Sequence, residues 1–144
     1  MERTTLEQLP GWARALLDQA RVARLGLVDG EGRPRVLPVT FVLHGGSLWT
    51  AVDRKPKREP GREPARVRYL RDNPHAALTV DHYNDDWSGL AWVQVLGDVA
   101  VLEVADEAEA VAALTAKYPQ YAREPPPGPL LRLEPHRVLS WSAG

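Results

Sequence analysis

The chain has 144 residues, 44% hydrophobic and 26% charged, with a net charge of -1, a length that suits one domain with a sizeable core. No segment approaches the roughly 20 uninterrupted apolar residues of a membrane helix, and the complete lack of cysteine excludes disulfides, thiolate metal centres, cysteine-ligated iron-sulfur clusters and cysteine nucleophiles. Any redox chemistry must therefore be supplied by a bound cofactor.

The opening residues Met1-Glu2-Arg3-Thr4-Thr5 carry neither an apolar signal region nor a small-residue cleavage site, so a cytoplasmic protein is expected. Thr4 with Glu7 and Thr5 with Gln8 both fit a capping box, and Leu9, Ala13, Leu16, Leu17 and Ala20 recur at helical spacing. They predict an amphipathic helix ending near Arg21. The pattern then changes to short strands: 23–28, the turn Asp29-Gly30-Glu31-Gly32, a return strand over 35–43, the turn His44-Gly45-Gly46-Ser47, and a third strand over 48–52. Pro34 and Pro38 must sit at a strand start, an edge or a bulge, because proline cannot donate to a ladder. Pro38 is taken to mark irregular backbone.

Val67 and Leu70 predict a short helix over 65–71, with Arg66, Arg68 and Arg71 outward and Asn73-Pro74 as its stop. Two long strands follow, over 76–82 and 90–103, the second bent at Gly97-Asp98. A helix is expected over 106–117, capped by Asp106, with Val111 and Leu114 inward and Pro119 ending it. The stiff stretch Glu124-Pro125-Pro126-Pro127-Gly128-Pro129 delivers the chain to a last strand over 130–141. Without repeats or a composition break, residues 1–144 read as a single α+β domain with a closed or partly closed barrel.

The charges are segregated. Between Asp53 and Asp72 there are eight basic residues against four acids, while from Asp72 to Ala116 there are nine acids and no Lys or Arg. Lys55-Pro56-Lys57-Arg58 lies directly after a strand, in a stretch shaped by prolines and glycine. A lone lysine pair would read as a solvated loop; the position at a strand end favours an anion site, with lysines as point charges for phosphate. Nucleic acid is disfavoured by the pI of about 6.4 and by the lack of aromatic residues interleaved with the charges. His44, His75, His82 and His136 lack close ligand spacing, and Asp81, His82, Asp85 and Asp86 read as a loop before a site, so no metal is expected. Neither a Gly-x-Ser-x-Gly elbow nor a glycine-rich phosphate loop occurs. Trp49 and Trp92 are expected in the core, and Trp87, beside Asp85 and Asp86, at an interface or pocket mouth.

Three segments together, 23–29 (Ala-Arg-Leu-Gly-Leu-Val-Asp), 32–41 (Gly-Arg-Pro-Arg-Val-Leu-Pro-Val-Thr-Phe) and 53–57 (Asp-Arg-Lys-Pro-Lys), resemble the pyridoxamine-phosphate-oxidase-like split barrels. Asn73-Pro74, the 81–87 segment and Gly97-Asp98-Val99-Ala100 are similar to the subgroup of deazaflavin (coenzyme F420) oxidoreductases. The resemblance implies a six-stranded antiparallel split β-barrel with flanking helices, forming a homodimer with two cofactor clefts at the subunit interface. It places the cofactor phosphate on Lys55 and Lys57, with Arg58 in the extended loop that departs from the family pattern. It places the ring against Pro38, Val39 and Thr40, with Thr50, Ala51 and Val52 nearby and Trp87 reaching across the interface. The implied reaction is hydride transfer between F420 and a small organic substrate. FMN is the alternative cofactor, in an oxidase of phosphorylated pyridoxine-like amines or in a non-catalytic flavin or F420 carrier. No catalytic side chain is expected, because the cofactor ring carries the chemistry. No nucleic-acid or membrane partner is expected.

Overall fold

The computed structural model describes residues 2–52 and 63–144. In chain order its elements are β1 (Glu2–Thr4), α1 (Gly11–Gln19), β2 (Ala23–Val28), β3 (Pro34–Val39), β4 (Val42–His44), β5 (Ser47–Ala51), α2 (Ala65–Asp72), β6 (His75–His82), β7 (Ala91–Leu102), α3 (Ala108–Lys117), α4 (Gln120–Arg123) and β8 (Leu130–Ser142). Short 3₁₀ turns at Leu6–Gln8, Trp87–Gly89 and Val104–Asp106 link them.

Local sequence explains the turns. Asp29 Oδ1 accepts from the amides of Glu31 (2.9 Å) and Arg33 (3.0 Å), so one carboxylate organises the β2–β3 hairpin. Those hydrogen bonds, led by the Arg33 amide, hold the Asp29 carboxyl below its ordinary pKa. Gly45 and Gly46 have φ of 60° and 78°, the paired left-handed geometry of a two-residue β4–β5 hairpin. At the N-terminus the Thr5 amide donates to Gln8 Oε1 at 3.4 Å, which caps the first 3₁₀ turn; α1 begins only after Pro10. The expected Asp106 cap is not found. Asp106 closes a 3₁₀ turn, and α3 starts behind Glu107 without a side-chain cap.

The strand path is β3-β2-β6-β7-β8-β5-β4, every pair antiparallel, with β1 added to β8. The expected six strands become eight for two reasons. One is the addition of β1. The other is that the 35–43 strand breaks at Thr40-Phe41 into β3 and β4. Since β3 and β4 stand at opposite ends of the path, the covalent chain itself joins the two sheet edges into a barrel. Pro38 is not the irregular point. It sits inside regular β3 opposite Arg24, and the break comes two residues later.

That break is held from outside. Phe41 leaves the ladder, and its amide donates to the Tyr118 hydroxyl at 3.2 Å; the same hydroxyl has two carbonyl acceptors in reach, Arg21 at 2.9 Å and Phe41 at 3.1 Å. Desolvation pushes the Tyr118 phenol up, so it stays neutral and able to donate. A buried backbone amide without this partner would cost about 1–3 kcal/mol.

Alternation along the strands separates two apolar clusters. Leu25, Leu27, Leu48, Leu78, Val80, Val93, Val95, Leu131, Leu133 and Val138 fill the barrel with Ala13 and Leu17 of α1 and Val67 and Leu70 of α2. Trp49, Ala51 and Leu130 face the other way and bury Ala110 and Leu114 of α3 together with Tyr118 and Tyr121. Leu114 is wholly buried, worth about 1.5–3 kcal/mol relative to an exposed side chain. Val111 packs only at the margin of this cluster. Trp49 is core as expected, whereas Trp92 is half-buried and paired in register with Trp141.

The β7–β8 ladder slips between Leu96 and Gly97, where His136 is the extra residue. Gly97 is required there, because a Cβ would lie 1.9 Å from the Glu134 carbonyl oxygen.

Candidate functional site

Beside the β2–β3 hairpin lies an open cavity of about 230 Å³. Leu27, Val36, Leu37 and Tyr69 give it apolar walls, Arg35 and Arg66 give it positive charge, and Pro64 and Ala65 form the rim where α2 begins. Backbone amides exposed at a helix start add to the positive potential. The cavity therefore combines a cationic margin with an apolar floor, the composition of a site for a partly aromatic anion.

Residues 53–62 lie outside the described residues, and with them Lys55, Lys57 and Arg58. The described chain resumes at Glu63, and Pro64 lies on the cavity rim. Of the three arginines expected to point outward from α2, Arg68 and Arg71 hydrogen-bond to Glu63. Arg71 Nε and Nη2 each meet a Glu63 carboxylate oxygen at 3.0 Å, and Arg68 Nη1 donates to the Glu63 carbonyl at 2.6 Å. Hydrogen bonding from Arg71 holds the Glu63 carboxyl below its ordinary range. Arg66 instead lines the cavity. Arg35 is 3.7 Å from Asp29 and keeps 58% of its side chain in solvent.

The residues expected around the ring occupy different faces. Pro38 is exposed on β3, Val39 is buried in the barrel, and Thr40 is half-buried at the strand break with its hydroxyl 2.8 Å from that of Tyr121. Thr50, Ala51 and Val52 are all buried, but alternation sends Val52 into the barrel and Ala51 toward α3. Val52 and Ala51 thus belong to different apolar clusters. Trp87 is 69% exposed at the tip of the β6–β7 connection. Its turn is set by Asp86, whose carboxylate accepts from the Ser88 hydroxyl (2.8 Å) and amide (3.1 Å) and is held below the ordinary carboxylate range by those bonds.

Sequence reading missed Arg35, Val36 and Leu37 as site residues, although they stand in the 32–41 segment that carried the resemblance. β3 exposes Val36 to 69%, which the sequence pattern does not announce. Arg66 was hidden among its neighbours because charge counting does not reveal which arginine faces the cavity. Among the described residues, no group of three or more His, Asp or Glu is placed to hold a metal, and no helix is long and apolar enough to cross a membrane.

The fold is an antiparallel barrel with flanking helices, its wall interrupted at Thr40-Phe41. The family model for pyridoxamine 5'-phosphate oxidase matches residues 9–142. The chain belongs to that family. A search of the curated proteins finds no match. Among solved structures, a conserved hypothetical protein from Mycobacterium tuberculosis superposes with TM-score 0.71 at 15% identity, covering 90% of this chain and 81% of the other. A FAD-binding protein from Mesorhizobium loti gives 0.66 at 20% identity, with 97% and 96% covered. A heme binding protein from Mycobacterium smegmatis gives 0.68 at 22% identity; the match covers 87% of this chain and 50% of that one. At these identities the likeness is one of fold.

Proposed function

We propose that the protein is an oxidoreductase that binds coenzyme F420 and transfers a hydride between the deazaflavin and a small organic substrate. The observation that carries this reading is the cavity at the start of α2, where Arg35 and Arg66 border an apolar floor. Lys55 and Lys57, with Arg58, supply charge for the phosphate end. Arg35 and Thr40 are five positions apart, roughly 16 Å of extended chain, the distance from the anionic end of an elongated ligand to its ring. Pro38 and Thr40 lie toward that ring end, with the buried Val39, Thr50, Ala51 and Val52 shaping the backbone behind them.

The residues fit such a group in part. A cavity of about 230 Å³ is smaller than the 300–1,000 Å³ of a complete pocket for a drug-sized molecule. A second copy of the chain, bringing the exposed Trp87 across a two-fold interface, would complete the enclosure. The cofactor supplies the hydride chemistry. The chain's own residues anchor the phosphate by charge, orient the ring from β3, and exclude water with Val36 and Tyr69. No acid or base is assigned among the side chains.

Fluorescence titration of the purified protein with F420 and with FMN tests the reading. F420 should bind more tightly, and Lys55→Ala and Lys57→Ala should each weaken it by about 1–3 kcal/mol, the range for charge-assisted hydrogen bonds. Reduced F420 should then be reoxidised by a member of an enone and quinone panel. Binding of FMN alone would make this an FMN enzyme; binding without reoxidation would make it a carrier; binding of neither would refute the reading.

A further inference from the structure

One carboxylate beside the cavity serves two neighbours. Leu27 stands directly opposite Arg35 in the β2–β3 ladder, and the Asp29 amide still donates to the Arg33 carbonyl, so the ladder runs on to Asp29. Alternation therefore turns the side chains of Leu27, Asp29 and Arg35 to one face of the hairpin, the face on which Leu27 and Arg35 line the cavity. The two oxygens of Asp29 have separate partners. Oδ1 takes both turn amides, from Glu31 and Arg33, while Oδ2 lies 3.7 Å from Arg35 Nη1.

The two charges are held very differently. Two backbone hydrogen bonds fix the Asp29 carboxylate, and its side chain is only 10% exposed. The Arg33 guanidinium does not compete for it, being drawn to Glu31 at 2.6 Å. Arg35 keeps most of its side chain in solvent, and among the described residues its guanidinium makes this ion pair and no hydrogen bond, since 3.7 Å is beyond hydrogen-bond reach. A fixed anion thus restrains the cation by charge while using none of its donors.

We propose that Asp29 is a positioning residue for anion recognition: it holds the Arg35 guanidinium at the cavity with its N–H donors open to the phosphate or carboxylate oxygens of the ligand. The inference deepens the proposed function and rests on it, since it needs a ligand whose anionic end reaches the cavity. Positioning and repulsion predict opposite outcomes. A carboxylate close to an anion site opposes binding by repulsion, and on that ground alone its neutralisation would tighten the complex. A carboxylate that holds the arginine has the reverse effect, because without it Arg35 must give up more side-chain freedom on binding.

The test uses the full chain and titrates F420 and FMN, at one fixed salt concentration, into the parent protein, Asp29→Asn, Arg35→Ala and the double variant, with thermal midpoints measured alongside. Asparagine keeps an oxygen acceptor for the two turn amides and removes the charge. Asp29→Asn should bind about three- to fivefold more weakly than the parent, the scale of one exposed ion pair. In the Arg35→Ala background the same change should cost nothing, because the arginine it positions is gone; a purely structural role in the turn would weaken binding in both backgrounds. A parent that binds, together with an Asp29→Asn variant that binds equally or more tightly, or with a loss that persists in the Arg35→Ala background, would overturn the positioning role and leave the functional reading standing. A parent that binds neither ligand would overturn both.

Discussion

Lys117 offers a measurable link between pH and stability. Its Nζ is shielded from solvent and has no hydrogen-bond partner among the described residues; it lies 3.9 Å from the centroid of the Phe41 ring and 5.5 Å from that of Tyr118. Burial, reinforced by the nearby Arg21 charge and opposed by Asp18, pushes its pKa from 10.5 down to about 8. The folded state therefore releases a proton that the unfolded chain keeps. Below pH 8 both states are protonated and the folded state bears the cost of a poorly solvated ammonium; between about 8 and 10.5 the unfolded state holds the extra proton, so stability rises with pH. The span of 10.5 to about 8 would correspond to roughly 3 kcal/mol for a fully buried group. The stem of Lys117 is partly in solvent, which reduces this to about 1–2 kcal/mol.

Lys117→Met keeps the stem and its contact with Phe41 while deleting the charge. The variant is expected to exceed the parent by about 1–2 kcal/mol at pH 7 and to lose most of that advantage by pH 10. Urea unfolding of both proteins at pH 7, 8.5 and 10 gives the difference directly, and subtraction removes the titration of every group they share. A variant less stable than the parent at pH 7 would show that attraction between the ammonium and the two rings outweighs its desolvation. A gap constant with pH would show that Lys117 titrates alike in both states.

Three further outcomes are expected. Gly97→Ala should destabilise by about 3 kcal/mol or more in thermal or urea unfolding, since the new methyl meets the Glu134 backbone at 1.9 Å and only a shift of β8 relieves it; an unchanged midpoint would contradict the close approach. Ser140→Ala should be neutral or stabilising by up to about 1 kcal/mol, because the Ser140 hydroxyl is buried without a hydrogen-bond partner among the described residues and its removal ends a desolvation cost; a clear loss in urea midpoint would reveal a partner for that hydroxyl. Arg35→Ala should weaken F420 or FMN binding about tenfold in fluorescence titration, with little effect on the thermal midpoint given its solvent exposure; unaltered affinity would move the ligand away from the cavity.

What was legible in the sequence was local. The Asp29 turn, the Gly45-Gly46 hairpin and the α2 stop at Asn73-Pro74 are each decided within a few residues, and the structure places them where the pattern did. The Asp106 cap failed because a 3₁₀ turn took the first residues of the expected helix. The break at Thr40-Phe41 was invisible for a different reason: its amide is satisfied by Tyr118, 77 residues away, and nothing near Phe41 announces that partner. The site divided along the same line. A cationic segment could be seen by counting charges, yet Glu63 engages Arg68 and Arg71, while Arg66 lines the cavity. That division is a matter of side-chain direction, which composition does not encode.

The two prolines of β3 bear on how the molecule can meet another. The Asp29 amide donates to the Arg33 carbonyl, so alternation along the ladder turns the backbone groups at Pro34, Val36 and Pro38 away from β2. At two of those three places no N–H exists. A foreign strand laid along this edge would find a single donor, at Val36, and could not extend the sheet. The edge is thereby closed to runaway strand addition while the Val36 side chain stays in the open. Association at this edge must proceed through side chains, a mode whose specificity shape and charge control and which backbone pairing alone cannot imitate.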